Sequence, residues 1–210
     1  MVGIIIIIAI IIPVLLFTRL NNIYVIIMLI TTIWLGALGF ADDYIKVFRK
    51  NKEGLRGHFK IVAQVGLGLI VGLILFFSPD VVIRENTEVR NEIENVIEDV
   101  HYHSENTKSV TTTIPFVKNN NFDYAWLAGW AGDYTYAATC VIFIIIVIFI
   151  VTAVSNGANL TDGLDGLAAG SSAVIGIVLG ILAYTSSHIE FASFLNIMFI
   201  PGAQDLVIFA

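Results

Sequence analysis

Two acidic motifs contain the side chains best suited to chemistry. Asp42 and Asp43 are adjacent, and Asn159, Asp162 and Asp165 recur at intervals of three much later in the chain. Residues three apart lie on one face of a helical turn, so the second motif brings an amide and two carboxylates together. Carboxylate oxygens are preferred ligands of Mg²⁺. The two motifs therefore predict a magnesium-dependent site, provided that they lie on the same side of the fold.

Lysines accompany the first motif. If the helix before Asp42 continues, Lys46 and Lys50 lie one and two turns further along the same face, and Lys60 follows. Lysine can attract phosphate as a mobile point charge. The alternative is a topological role, because basic residues accumulate in cytoplasmic loops whether or not they bind a ligand. Both interpretations of the lysines stay open at this point.

Simpler structural explanations account for the second motif only in part. A helix N-cap would explain one aspartate, but not an asparagine and two aspartates. The spacing of an EF-hand loop is missing. Gly157, Gly163 and Gly166 would allow the backbone to approach a ligand closely. We therefore interpret this motif as a binding site.

The elements that position these motifs are membrane helices. The chain has 210 residues, of which 57% are hydrophobic and only 13% charged, and this composition is too apolar for one soluble core. The net charge is −6, so we expect no nucleic-acid partner. The single cysteine, Cys140, excludes a disulfide framework. We predict an all-α, polytopic integral membrane protein.

Hydropathy predicts five complete transmembrane helices and the start of a sixth. A bilayer core of about 30 Å requires about 20 apolar residues in helical form. The sixth stretch begins near Leu206, and the complete spans are 2–17, 23–40, 61–77, 137–155 and 167–184. This pattern divides the chain into helices at 1–77, a polar and partly ordered insertion at 78–136, and further helices at 137–210.

Basic residues predict the orientation of these spans. The 41–60 loop contains six of the eleven lysines and arginines, so it should be cytoplasmic. One crossing then places 78–136 outside, and the next returns the chain to the cytoplasm at the 156–166 loop. Both acidic motifs should therefore face the cytoplasm, where they can form one site.

Two long segments carry a resemblance to a known family. Residues 39–47, with Gly54, Leu55 and Lys60, and residues 156–168 resemble the polyprenyl-phosphate N-acetylhexosamine-1-phosphate transferases. Segments 113–116 and 191–195 resemble, within that family, the phospho-N-acetylmuramoyl-pentapeptide transferases. The resemblance covers nearly the whole chain apart from the middle of the 78–136 insertion.

The resemblance implies a ten-helix, dimeric enzyme of the bacterial inner membrane that acts in peptidoglycan synthesis. Such an enzyme transfers phospho-MurNAc-pentapeptide from UDP-MurNAc-pentapeptide to the membrane lipid undecaprenyl phosphate. The products are lipid I and UMP, and the cofactor is Mg²⁺. Whether an aspartate forms a covalent intermediate or only deprotonates the attacking lipid phosphate stays open.

The resemblance also implies roles for individual residues. Asp42 would be a base or nucleophile, and Asp43 and Asp165 would be catalytic and would hold the metal. Phosphate groups of the substrates would be bound by Lys46, Lys50 and Lys60. The nucleotide or the sugar diphosphate would be bound by Asn159 and Asp162, and Asn156 would also bind substrate.

Departures from the family pattern lie at the two ends of the chain. The family begins with another span and a Thr-Met-Gly-Gly loop, of which Met1 and Gly3 remain, and its Phe-Met-Gly-Asp motif and His-rich loop would fall beyond Ala210. We therefore expect an incomplete chain that is inactive alone. The alternatives are a GlcNAc-1-phosphate transferase that uses the same lipid, or a transporter or ion-binding protein. The acidic residues lie at the membrane interface and not at the middle of the membrane, where a transport path would need them, and this argues against a transporter.

Overall fold

The computed structural model describes residues 2–48, 54–84, 86–90, 97–102, 106–114, 121–161 and 166–210. Helices dominate this part of the chain. The α-helices are α1 (Val2–Phe17), α2 (Ile23–Phe48), α3 (Gly57–Phe77), α4 (Tyr124–Leu127), α5 (Thr135–Thr161), α6 (Leu167–Ser186) and α7 (Ile189–Phe194). Among the described residues, two 3-10 helices occupy Gly129–Tyr134 and Ala203–Phe209. Lys50, Asp162 and Asp165 lie outside the described residues.

Four helical stretches in the described residues are long and apolar enough to cross a membrane. They are α2, α3, α6 and the continuous stretch Gly129–Thr161 that contains α5. The predicted all-α, multi-pass membrane protein is confirmed. The first predicted span, α1, has 16 residues, and at 1.5 Å per residue it is shorter than a bilayer core of about 30 Å. Near Leu206 the chain forms a 3-10 helix, where the start of a sixth span was predicted.

The interface between α3 and α5 is built around two glycines. A Cβ atom on Gly68 would lie only 2.7 Å from the Ile148 Cα, and one on Gly72 would lie 3.4 Å from the Ile144 Cα. The missing side chains let the two backbones approach closely, as is common in membrane helix pairs. Leu67, beside this contact, is fully buried. Gly68 and Gly72 therefore serve the packing of α3 against α5.

Two helices continue beyond the spans that hydropathy indicated. α2 extends to Phe48, and α5 extends to Thr161. Asp42, Asp43 and Lys46 therefore lie on a helix, although the sequence placed them in a 41–60 loop, and Asn159 lies on α5 instead of in a 156–166 loop. In 41–48 no glycine or proline interrupts the helix.

The described part of the 78–136 insertion contains two short antiparallel strand pairs. β1 (Asn86–Arg90) pairs with β2 (Ile97–Tyr102), and β3 (Thr111–Thr113) pairs with β4 (Asn121–Asp123). The sequence predicted a partly ordered polar excursion there, and no strand was assigned to it. The strands are only three to six residues long, so they show too few alternations of polar and apolar residues to be recognised.

Candidate active site

A cleft of about 380 Å³ lies at the end of the bundle where α2 and α5 end and α3 begins. Its apolar wall comes from α1 and the last apolar turns of α2. Its polar lining includes Asp42, Asp43 and Lys46 from α2 and Asn159 from α5. Residues from both acidic motifs, which are far apart in sequence, therefore line one cleft.

Asp42 is the centre of a charged cluster. Its Oδ2 lies 2.6 Å from the Lys46 Nζ on the next turn of α2, and its Oδ1 lies 3.0 Å from the Lys60 Nζ on α3. The backbone N–H of Leu55 also donates a hydrogen bond to Oδ1, at 2.8 Å. Asp42 is 9% exposed, so its carboxylate is largely shielded from water. This cluster, Asp42 with Lys46, Lys60 and the Leu55 amide, is called the Asp42 cluster below.

Gly54 allows the turn before α3 to reach the Asp42 cluster. Its φ is +68°, in the left-handed region where glycine is favoured. A Cβ atom there would lie 2.6 Å from both the Asp42 Oδ1 and the Lys46 Cε. Only glycine fits this position, and it lets the next residue, Leu55, direct its N–H at the carboxylate.

The Asp42 cluster stabilises the ionised carboxylate. The apolar run of α2 ends at Phe40, so Asp42 lies beyond the membrane-spanning stretch. Burial raises the pKa of Asp42, but the hydrogen bonds from Lys46, Leu55 and Lys60 together outweigh it and hold the pKa at about 2. The hydrogen bond that Lys46 donates to Asp42 is the main cause that raises the pKa of Lys46. Both charges therefore persist at neutral pH.

Asp43 has a different environment from its neighbour. It is exposed to the cleft, and within the described residues its carboxylate has no hydrogen bond or ion pair. Its free oxygens suit a hard cation such as Mg²⁺. The described part of the chain contains no group of three or more His, Cys, Asp or Glu side chains that could hold a metal. A metal at Asp43 would need further ligands, and the predicted partner Asp165 lies outside the described residues.

Asn156 lies between helices and does not line the cleft. Its Nδ2 donates to the Gln64 Oε1 at 3.0 Å and to the Thr152 carbonyl at 2.9 Å. Gln64 in turn donates to the Ser155 Oγ at 2.9 Å. Neither Gln64 nor Ser155 belongs to the motifs from which the sequence predicts a site. One signal was present, because a glutamine within an apolar span needs a polar partner.

Comparison with known proteins identifies the family. The glycosyl transferase family 4 pattern matches residues 25–209. Across 99% of its length, the chain is 74% identical to the phospho-N-acetylmuramoyl-pentapeptide-transferase of Parabacteroides distasonis. It is 66% identical to the protein of that name from Bacteroides fragilis and 58% identical to that from Porphyromonas gingivalis. The chain spans 49% of each of these relatives, about half their length. The resemblance drawn from the motifs is confirmed, and the chain belongs to glycosyl transferase family 4.

Proposed function

We propose that this chain supplies part of the active site of a membrane phospho-sugar transferase. The enzyme would move phospho-MurNAc-pentapeptide from UDP-MurNAc-pentapeptide to undecaprenyl phosphate, giving lipid I and UMP for peptidoglycan synthesis. The observation that carries the proposal is the cleft where Asp42, Asp43, Lys46 and Asn159 meet at the end of apolar helices. The names of the relatives support the choice of substrates.

The position of the cleft suits the two substrates. A lipid phosphate is confined to the depth of the headgroups, while a nucleotide sugar arrives from water. The polar lining begins where the apolar run of α2 stops at Phe40, so both can reach it. We place this end of the bundle on the cytoplasmic side of the bacterial inner membrane, because the 41–60 segment is rich in basic residues.

The cations of the Asp42 cluster would help two anions to approach each other. Lys46 and Lys60 offer ammonium groups near the cleft, and their attraction for phosphate is strongest where water is excluded. Asp42 holds both ammonium groups at 3.0 Å or less. With a pKa of about 2, Asp42 is a weak base, so we assign it mainly the positioning of these lysines.

Asp43 is the described carboxylate best placed to act on substrate. It is exposed in the cleft and unpaired among the described residues, so it could accept a proton or hold a metal. Mg²⁺, when bound, would neutralise the diphosphate and polarise its phosphorus. Asp43 would hold that ion together with Asp165, while Lys50 and Asp162 keep their predicted substrate contacts. Carboxylate oxygens are the type of ligand that Mg²⁺ prefers.

The test uses protein produced from the complete gene that encodes this chain. Purified in detergent with UDP-MurNAc-pentapeptide, undecaprenyl phosphate and Mg²⁺, it should release UMP and form lipid I. UDP-GlcNAc in place of the pentapeptide substrate should give no product. Asp43→Asn and Asp165→Asn should each lower turnover by at least roughly 10²-fold without loss of folded protein. Normal turnover in both variants would contradict the assignment. Light scattering would test the homodimer that the family resemblance implies.

A further inference from the structure

Gln64 is a buried amide in an apolar helix, and both ends of its side chain are paired. It is 4% exposed on α3. Its Nε2 donates to the Ser155 Oγ at 2.9 Å, and its Oε1 accepts from the Asn156 Nδ2 at 3.0 Å. Burying an amide is unfavourable unless such partners are present. Both hydrogen bonds cross from α3 to α5, so Gln64 ties these two helices together.

The two bonds fix the last turns of α5. Asn156 is also anchored on its own helix, by the hydrogen bond to the Thr152 carbonyl at 2.9 Å. Its side chain is therefore held from two directions. Asn159 lies three residues further along α5 and lines the cleft. A shift of α5 at Asn156 would move Asn159 with it.

The same end of α3 also contacts the Asp42 cluster. Lys60 lies one turn before Gln64, at the i and i+4 spacing that places two side chains on one face of a helix. The Lys60 Nζ is 3.0 Å from the Asp42 Oδ1. The first two turns of α3 thus bond to α2 through Lys60 and to α5 through Gln64.

We infer that Gln64 is a positioning residue that sets the place of Asn159 relative to the Asp42 cluster. This inference rests on the proposed function, because it concerns the same cleft. The glycine contacts at Gly68 and Gly72 fix how closely α3 and α5 approach, but they are apolar and have no preferred direction. Hydrogen bonds are directional. The Gln64 bonds therefore define the rotation and register of the two helices near the cleft.

The kinetic test replaces Gln64 with methionine, which has a similar length but no polar end. In the protein from the complete gene, Gln64→Met should raise the KM for UDP-MurNAc-pentapeptide roughly tenfold, as expected for the loss of directed hydrogen bonds. The KM for undecaprenyl phosphate should stay unchanged. If Gln64 acts through Asn156, adding Gln64→Met to Asn156→Ala should give no further increase.

Thr152→Val is the matched control. Thr152 lies on α5 in the same region, and its Oγ1 is buried without a hydrogen-bond partner in the described part of the chain. Valine has nearly the same shape as threonine. This variant changes the polarity of the interface without removing a hydrogen bond, so its kinetics should match those of the wild type.

A distance measurement tests the inference without any need for activity. Spin labels at residues 62 on α3 and 160 on α5, both exposed positions, would be placed in a background from which Cys140 and any other cysteine of the complete protein have been removed. Gln64→Met should shift or broaden the distance distribution between them, and Thr152→Val should not. If Gln64→Met does not yield folded protein, Ser155→Ala removes one of the two bonds and should give a smaller change in the same direction.

The outcomes separate the two proposals. Wild-type protein without turnover would contradict the proposed function, and the distance measurement would still decide the role of Gln64. Wild-type turnover, together with an unchanged KM and an unchanged distance distribution in Gln64→Met, would overturn the positioning role. Additive effects of Gln64→Met and Asn156→Ala would also overturn it.

Discussion

The two halves of α3 contact their neighbours in opposite ways. Near its start, Lys60 and Gln64 make directed polar contacts with α2 and α5. Further along, Gly68 and Gly72 let the backbone of α5 approach so closely that a Cβ has little or no space. One helix thus combines a polar half beside the cleft with a tightly packed half inside the membrane.

Each half of α3 should govern a different property of the protein. A closely packed interface tolerates little added volume, because the interior of a protein is as dense as an organic crystal. Polar groups beside a cleft can be changed with a smaller effect on folding, provided that no buried charge or amide loses its partner. We therefore expect changes in the glycine half to reduce stability, and changes beside the cleft to reduce turnover first.

The largest expected effect concerns the cleft. Asp43→Asn should lower turnover by roughly 10²–10³-fold, the size typical for removal of one electrostatic group from an active site. Its unfolding temperature should stay unchanged, because the Asp43 carboxylate has no ion pair within the described residues. Lipid I formation and thermal unfolding in detergent would be measured on the same preparation. Asp80→Asn, another exposed aspartate and one outside the cleft lining, is the control and should match the wild type in both. A large drop in the unfolding temperature of Asp43→Asn would show that Asp43 has a structural role.

The next largest effect concerns the glycine half. Gly68→Ala should reduce the free energy of unfolding by about 1–3 kcal/mol, the range typical of overpacked cores. The added Cβ would meet the Ile148 Cα at 2.7 Å, and a backbone atom cannot rotate away. Gly66→Ala is the matched control, since its Cβ would make only an ordinary contact of 3.8 Å with Trp34. Unfolding midpoints in detergent measure both, and equal stability of the two variants would contradict the packing argument.

A smaller effect distinguishes the two lysines of the Asp42 cluster. The Lys60 side chain is 24% exposed and joins α3 to α2, whereas the Lys46 side chain is 43% exposed and lies on the same helix as Asp42. After allowance for solvent screening, Lys60→Met should reduce the free energy of unfolding by about 1–2 kcal/mol, and Lys46→Met by less than about 1 kcal/mol. Chemical denaturation would compare the two. A larger loss for Lys46→Met would show that the contact within α2 matters more than the link between helices.

Sequence alone predicted the membrane helices because hydropathy is a local property of the chain. It did not predict where α2 and α5 end. A change from apolar to polar residues marks the edge of the bilayer, as at Phe40. A helix can nevertheless continue in water, as long as its backbone hydrogen bonds form and its side chains one turn apart are compatible. The Asp42 and Lys46 pair, one turn apart, is compatible with such a continuation. The short strands β1–β4 were missed because each has too few residues to show the alternation of polar and apolar residues that is typical of a strand.

Part of the candidate site could also be predicted. Counting membrane crossings placed the two acidic motifs on one side, and the structure brings Asp42, Asp43 and Asn159 to one cleft. The inter-helix partners could not be predicted, because they depend on the rotation of each helix. Asn156 belongs to the same motif as Asn159 but bonds to Gln64 on α3. Gln64 itself belongs to no motif and is recognisable only once α5 lies against it.

The smallest expected effect concerns two hydroxyl groups of α5 that lie beside the polar half of α3. It tests whether both contribute to stability. Thr152→Val should leave the free energy of unfolding unchanged or raise it by up to about 1 kcal/mol, because it removes a buried hydroxyl without a partner in the described residues. Ser155→Ala, on the same helix, should instead lower stability, because it leaves the Gln64 amide without its acceptor. Thermal unfolding of both variants measures the contrast. Equal losses would contradict the argument that pairing, and not burial alone, decides how much each of these hydroxyl groups contributes to stability.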